Sequence, residues 1–255
     1  MTKFYKFSGV VFLLMVLIMS CKEEDPKLPL PVIDFTTDPE IVEVGVPVKF
    51  QNLTTNASNY EWDFGDGQTS TQISPTITYD EAGTYSVKLV AFTKDNQKDS
   101  LIQEIMVGER VMTGLLINSF PFVNMDGNDW DDPTGFPDST KYPDFILFLY
   151  PQDDQDLSRF LATPLLVDLA PFELPIGFEL NPGDPYVLTN ETWELTFIDF
   201  DGEDLETAVN EDFEIMEIIT FNPVTIPTGT VDENGEGFVQ ISLGTYSVDL
   251  FFQIE

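Results

Sequence analysis

The chain has 255 residues, of which 42% are hydrophobic and 13% aromatic, with 11 basic against 45 acidic side chains and a formal net charge of −34. That much apolar content excludes an acidic disordered tail, and that much negative charge repels nucleic acid and anionic lipid alike. Histidine is absent, which removes Ser-His-Asp and Cys-His catalysis and the imidazole zinc sites. The 22 phenylalanines and the many Val, Ile and Thr residues favour strands, while 16 glycines and 18 prolines punctuate the chain. The composition predicts an all-β protein.

The first element is an export segment. Lys3 and Lys6 precede an apolar run from Gly9 to Met19, which is too short to span a membrane comfortably. It ends in Leu17-Ile18-Met19-Ser20-Cys21, which resembles the lipobox of bacterial lipoproteins, and Cys21 is the single cysteine. The resemblance implies a signal peptide over 1–20, cleavage before Cys21, a diacylglycerol on its sulfur and acylation of its amine. The alternatives are an ordinary signal peptide with a chance cysteine, or an uncleaved anchor. Lys22-Glu23-Glu24-Asp25 is similar to the export tag of Bacteroidetes surface lipoproteins, implying an outer-membrane protein that faces the cell surface; a solvated charge run is the alternative. Pro26-Lys27-Leu28-Pro29-Leu30-Pro31 completes a tether over 21–31 and reads as a stiff extended spacer.

Residues 32–109 alternate with period two. Val46, Val48 and Phe50 share one face, as do Tyr60, Trp62 and Phe64, and then Tyr85, Val87, Leu89 and Ala91. Turn signals separate them at Asn56–Asn59, Gly65–Gly67 and Glu81–Gly83. The spacing predicts a small antiparallel sandwich. Trp62-Asp63-Phe64-Gly65-Asp66-Gly67 resembles the core motif of the polycystic-kidney-disease (PKD) domain, and Tyr79-Asp80-Glu81-Ala82-Gly83-Thr84-Tyr85-Ser86-Val87 resembles a later strand of that family. The resemblance implies an immunoglobulin-like spacer or contact module. Trp62 and Phe64 are expected to point into the core, Gly65 and Gly67 to supply positive φ, and Asp63 and Asp66 to bond turn amides rather than to ligate a metal.

Residues 110–255 are expected to form a second, larger antiparallel sandwich. Beyond Arg110, only Lys141 and Arg159 oppose its many carboxylates. Asp144 to Tyr150 reads as a buried strand. Trp193, Leu195 and Phe197 alternate with polar residues, and Tyr246, Val248, Leu250, Phe252 and Ile254 line one face of a closing strand. Glu203 to Met216 has enough helical character for a turn or two, interrupted by Asn210 and Asp212.

Two acidic clusters border these strands. One runs from Asn124 to Asp132 and continues to Asp144; the other runs from Asp199 to Asp204 and resumes at Asn210–Glu214. Hard cations such as calcium take six to eight oxygens near 2.4 Å. An Asp-x-Asp at a strand end aims both carboxylates to one side, because i and i+2 share a face. Crowded carboxylates need a counter-cation to stay ionised. Acidic loops that serve only solubility and Asx turns are an equal alternative. The layout resembles the synaptotagmin-type, or C-two-like, β-sandwich. That resemblance implies a calcium cage of Asp126, Asp144, Asp199, Asp201 and Asp212. The first loop is longer than that family's, and Asp144 follows Pro143 instead of preceding a proline. Asp126 does not open an EF-hand, since Pro137 stands where the closing glutamate belongs.

The expected function is a non-catalytic surface-binding, adhesion or scaffold protein, with calcium as its cofactor. Its partners are the membrane, through the lipid on Cys21, and a glycan or an envelope or extracellular protein. Trp130, Phe136 and Tyr142 either stack on a sugar or cover the end of the sandwich. A glycosidase using Asp129 and Asp201 is one alternative, and a purely structural envelope subunit is another.

Overall fold

The structure, a computed structural model, describes residues 28–124, 126–128, 130, 142–181, 185–201, 213–226 and 231–255. The signal peptide, Cys21 and the charge run after it lie outside the described residues. The fold is all-β, with a 3-10 turn at Pro171–Glu173 and no longer helix among the described residues.

Two hydrophobic cores organise the chain. The first sandwich has a three-stranded sheet of β1 (Phe35–Asp38), β3 (Val48–Asn52) and β6 (Thr76–Ile77). It faces a five-stranded sheet ordered β2 (Val42–Glu43), β8 (Lys98–Gly108), β7 (Gly83–Phe92), β4 (Asn59–Asp63) and β5 (Thr69–Ser70). The alternating residues turn inward: Val48, Phe50, Trp62, Phe64, Val87, Leu89 and Ala91 are buried. The Phe35 and Trp62 rings meet edge-on at 5.1 Å, and Phe50 lies 5.0 Å from Phe64. Each such side chain contributes roughly 1.5–3 kcal/mol by leaving water. One pairing departs from the antiparallel expectation: β2 runs parallel to β8, with Val42 beside Val107. Pro39 follows β1 and has no N–H to continue that ladder, and the chain crosses to the other sheet.

The second sandwich packs a sheet ordered β11 (Leu161–Ala162), β10 (Phe145–Pro151), β14 (Trp193–Phe200) and β15 (Phe213–Phe221) against another ordered β12 (Ile176–Glu179), β9 (Arg110–Ser119), β17 (Tyr246–Ile254) and β16 (Glu236–Leu243). The short β13 (Tyr186–Val187) also pairs with β9. Phe213 to Met216, the end of the segment with helical character, is strand: cross-strand pairing with β14 outweighs a weak local preference. The rest of that segment lies outside the described residues. Strand β14 is buried on both faces, not one. Trp193, Leu195 and Phe197 enter the core, and on the opposite face Thr196, Ile198 and Phe200 are also covered. Part of that cover is aromatic, with Phe200 5.1 Å from Phe213 and Phe148 4.8 Å from Phe160.

Glu109 alone separates β8 from β9. It exchanges backbone hydrogen bonds with Glu255 at 2.8 and 3.0 Å. Arg110, buried, donates from Nε and Nη2 to the Glu43 carboxylate at 2.7 and 2.8 Å, donates from Nη1 to the Pro223 carbonyl, and lies 4.0 Å from the Phe252 ring centroid. A residue of the first sandwich and two of the second thus close on one guanidinium.

Candidate metal centre

The acidic tip of the second sandwich follows from strand geometry. Along β14 the core-facing series Trp193, Leu195, Phe197 continues by alternation to Asp199 and, one step past the strand end, Asp201. Strand β15 has a register shift opposite Phe197 and Ile198, which sets Glu214 directly across from Asp199. Oxygens of Asp199, Asp201 and Glu214 lie within 4.8 Å of one another. Asp199 is fully buried, while Asp201 and Glu214 are exposed. Like charges directly opposite on a sheet are destabilising, and a buried carboxylate is costly unless it is compensated.

Strand β10 lies on the other side of β14, with Phe145 opposite Asp199. Asp144, one residue earlier, donates its backbone N–H to Asp199 Oδ1 at 3.0 Å, and its carbonyl accepts from the Phe200 N–H at 2.8 Å. The Asp144 carboxylate accepts the Asp168 N–H at 2.7 Å. Burial pushes the Asp144 carboxyl above its ordinary value, and repulsion from Asp168 and Asp201 adds to the rise; the Asp168 N–H works the other way. Asp168 has a left-handed backbone, φ 55°, which aspartate tolerates better than most residues.

The five aspartates named from the sequence therefore divide. Asp199 and Asp201 come together, with Asp144 bonded to the first and repelled by the second. Asp126 sits in a separate exposed turn, where its N–H and that of Asn128 both reach the Asn124 side chain at 3.1 Å. Asp212 lies outside the described residues, as do Asp129 and Phe136. Glu214 and Asp168 were not among the five. Glu214 was visible only as one acid in a run, and its place depends on the shifted register. Trp130 packs against the core and donates to the Pro121 carbonyl at 2.9 Å, and Tyr142 meets the Phe122 ring edge-on at 6.1 Å. Both cover the end of the sandwich.

In the first sandwich the Asp63 and Asp66 carboxylates bond turn amides, Asp63 accepting from Gly65 N–H at 3.1 Å and Asp66 from Gln68 N–H at 2.8 Å. Gly65 and Gly67 have φ of 82° and 94°.

Comparison with known proteins places a PKD domain at residues 29–107. The pre-pro-metalloprotease PrtV of Vibrio cholerae is 40% identical over 72 residues, 27% of this chain. The chain spans only 8% of that relative's length. The solved PKD1 domain of the same protease is 37% identical over 31% of this chain and 98% of its own, with a TM-score of 0.28. The PKD1 domain of Vibrio anguillarum Epp is 26% identical, covering 32% and 96%, also at 0.28. A carbohydrate-binding module of the β-sandwich superfamily aligns over 90% of this chain and 92% of its own at 15% identity and a TM-score of 0.30.

Proposed function

We propose that this protein is a non-catalytic lipoprotein of the outer membrane, anchored through Cys21 and facing the cell surface, whose second sandwich binds calcium at its acidic tip and presents a surface to a glycan or an envelope protein. The observation that carries the calcium reading is the buried Asp199 with Asp201 and Glu214 within 4.8 Å. The donors are all hard oxygens, which suits calcium and offers no nitrogen or sulfur to zinc. Backbone carbonyls and water would complete six to eight ligands. A bound cation would offset the repulsion between Asp199 and Glu214 and tie the tip of β14 to the start of β15. The PKD domain agrees with a spacer that holds this sandwich away from the membrane.

Calorimetry and thermal melting of the detergent-solubilised protein test this. Calcium at a hundredfold excess over its Kd is expected to raise the melting temperature by about 5–10 °C. Asp201→Asn, at an exposed position, is expected to remove most of that rise, while the calcium-free melt stays level or climbs slightly as repulsion is relieved. No heat and no shift at millimolar calcium would refute the site.

A carboxylate-pair hydrolase is the second reading, favoured by the raised Asp144 carboxyl. Release of reducing sugar from a polysaccharide, lost in Asp144→Asn, would establish it over the first.

A further inference from the structure

A second feature lies on the outer face of the second sandwich's β12–β9–β17–β16 sheet, where a cavity of about 840 Å³ opens across β12, β9 and β17. It lies on strands that contribute nothing to the acidic tip. Its origin is local. Gly177 of β12 pairs with Leu116 of β9, and Gly114 of β9 pairs with Phe251 of β17. Register alternation makes these outward positions, and two of the four carry no side chain. A Cβ at Gly114 would come 2.7 Å from the Phe178 carbonyl oxygen, so β12 crosses here at a separation only glycine permits. With no side chain standing outward from either glycine the sheet face is low here, and Leu116 leans across it to 3.3 Å from where a Gly177 Cβ would stand.

The walls combine two chemistries. Leu116 and the exposed ring of Phe251 are apolar, and the Phe238 ring continues the aromatic surface 6.1 Å from Phe251. Glu179, Glu236 and Gln253 supply carboxylate and amide groups at the rim. The volume falls in the range of sites that hold small organic ligands, and an open shape with few polar groups fits a chain lying across it. Among the described residues no lysine or arginine lines it, which disfavours phosphate, sulfate or uronate ligands. A purely apolar ligand would leave the rim carboxylates against it without water. A neutral sugar meets both demands, since its C–H faces pack on an aromatic ring and its hydroxyls donate to carboxylates and amides.

We propose that this trough is a binding site for a neutral polysaccharide chain. The proposal rests on the binding-module reading above and names its ligand class and its place, away from the calcium tip.

The test is titration calorimetry of the detergent-solubilised full-length protein with hexasaccharides of glucose, xylose and mannose, with a lysine-rich hexapeptide and polygalacturonate alongside. Two variants probe the trough. Phe251→Ala removes an exposed ring, and Gly177→Leu fills the floor from a position that is exposed and not left-handed, where its Cβ crowds only the end of the Leu116 side chain at 3.3 Å, which has room to swing aside. At least one neutral hexasaccharide is expected to bind, about tenfold more weakly in Phe251→Ala and undetectably in Gly177→Leu. Chelator is expected to leave that binding intact, and both variants are expected to melt with the parent. Saccharide binding that ignores both variants but disappears with chelator or in Asp201→Asn would overturn the trough while keeping the binding-module reading. Binding of the peptide or the polyuronate in place of neutral sugar would overturn the ligand class. Heat from none of the probes, with calcium present, would overturn the proposal while leaving the calcium site standing on its own melting shift.

Discussion

Tyr79 shows how one side chain ties a motif to its core. It is fully buried, its hydroxyl donates to the Phe64 carbonyl at 3.2 Å, and its ring lies 4.4 Å from Tyr85. Burial pushes the phenol up, and Asp66 adds to the rise, so the hydroxyl remains a proton donor throughout the physiological range. Phe64 belongs to the motif whose glycines turn the hairpin, so this bond fastens the turn to the connection between β6 and β7. Tyr79→Phe keeps the ring and leaves the carbonyl short of a donor. It is expected to cost about 1 kcal/mol, read as a lower urea midpoint with an unchanged slope. Trp62 and Phe64 were legible as core residues from alternation and the motif, because burial of alternate positions is a local property of a strand; Tyr79, between two strands, was not. Nor was the hydroxyl's partner, since it lies fifteen residues earlier in the chain.

Among the elements, the junction of β8 and β9 departs most from a flexible linker. One residue connects the sandwiches, and Arg110 holds both of them. Removing the guanidinium alone would strand the buried Glu43 carboxylate. Arg110→Met is expected to cost about 3–5 kcal/mol, and adding Glu43→Leu is expected to restore most of it. Chemical denaturation of the single and double variants measures both. Arg110→Lys is expected to fall between, since an ammonium cannot make the paired contact to Glu43 and the Pro223 bond together. In the sequence this arginine looked like one of few basic residues at a domain boundary. Its role required Glu43, far away in the chain, to be brought to the same point.

The charge of the whole molecule sets a different kind of expectation. A formal net charge of −34 favours solubility and cationic partners and resists adsorption to an anionic surface. Under the proposed function the membrane must therefore hold the protein by a lipid. Cys21→Ser is expected to abolish incorporation of labelled palmitate and to move the protein out of the outer-membrane fraction. Incorporation that survives the change would refute lipidation at Cys21. The PKD domain was legible because its motif is contiguous, with its tryptophan, phenylalanine, glycines and aspartates within one hairpin. The acidic tip was legible only in part. Asp199 and Asp201 are two apart at the end of a strand, and alternation alone sets them on one side.

Local pattern was enough for the fold class, the first sandwich and its motif, and the crowding of carboxylates beside β14. Each of these follows from neighbours within a few residues. Only long-range packing brings Glu214 to Asp199, closes both sandwiches on Arg110 and opens the trough across β12, β9 and β17. The reason is register. A slip of one residue turns every side chain of a strand to the opposite face, so the shift in β15 opposite Phe197 sets Glu214, not Ile215, across from Asp199, and no local pattern in the chain specifies that shift.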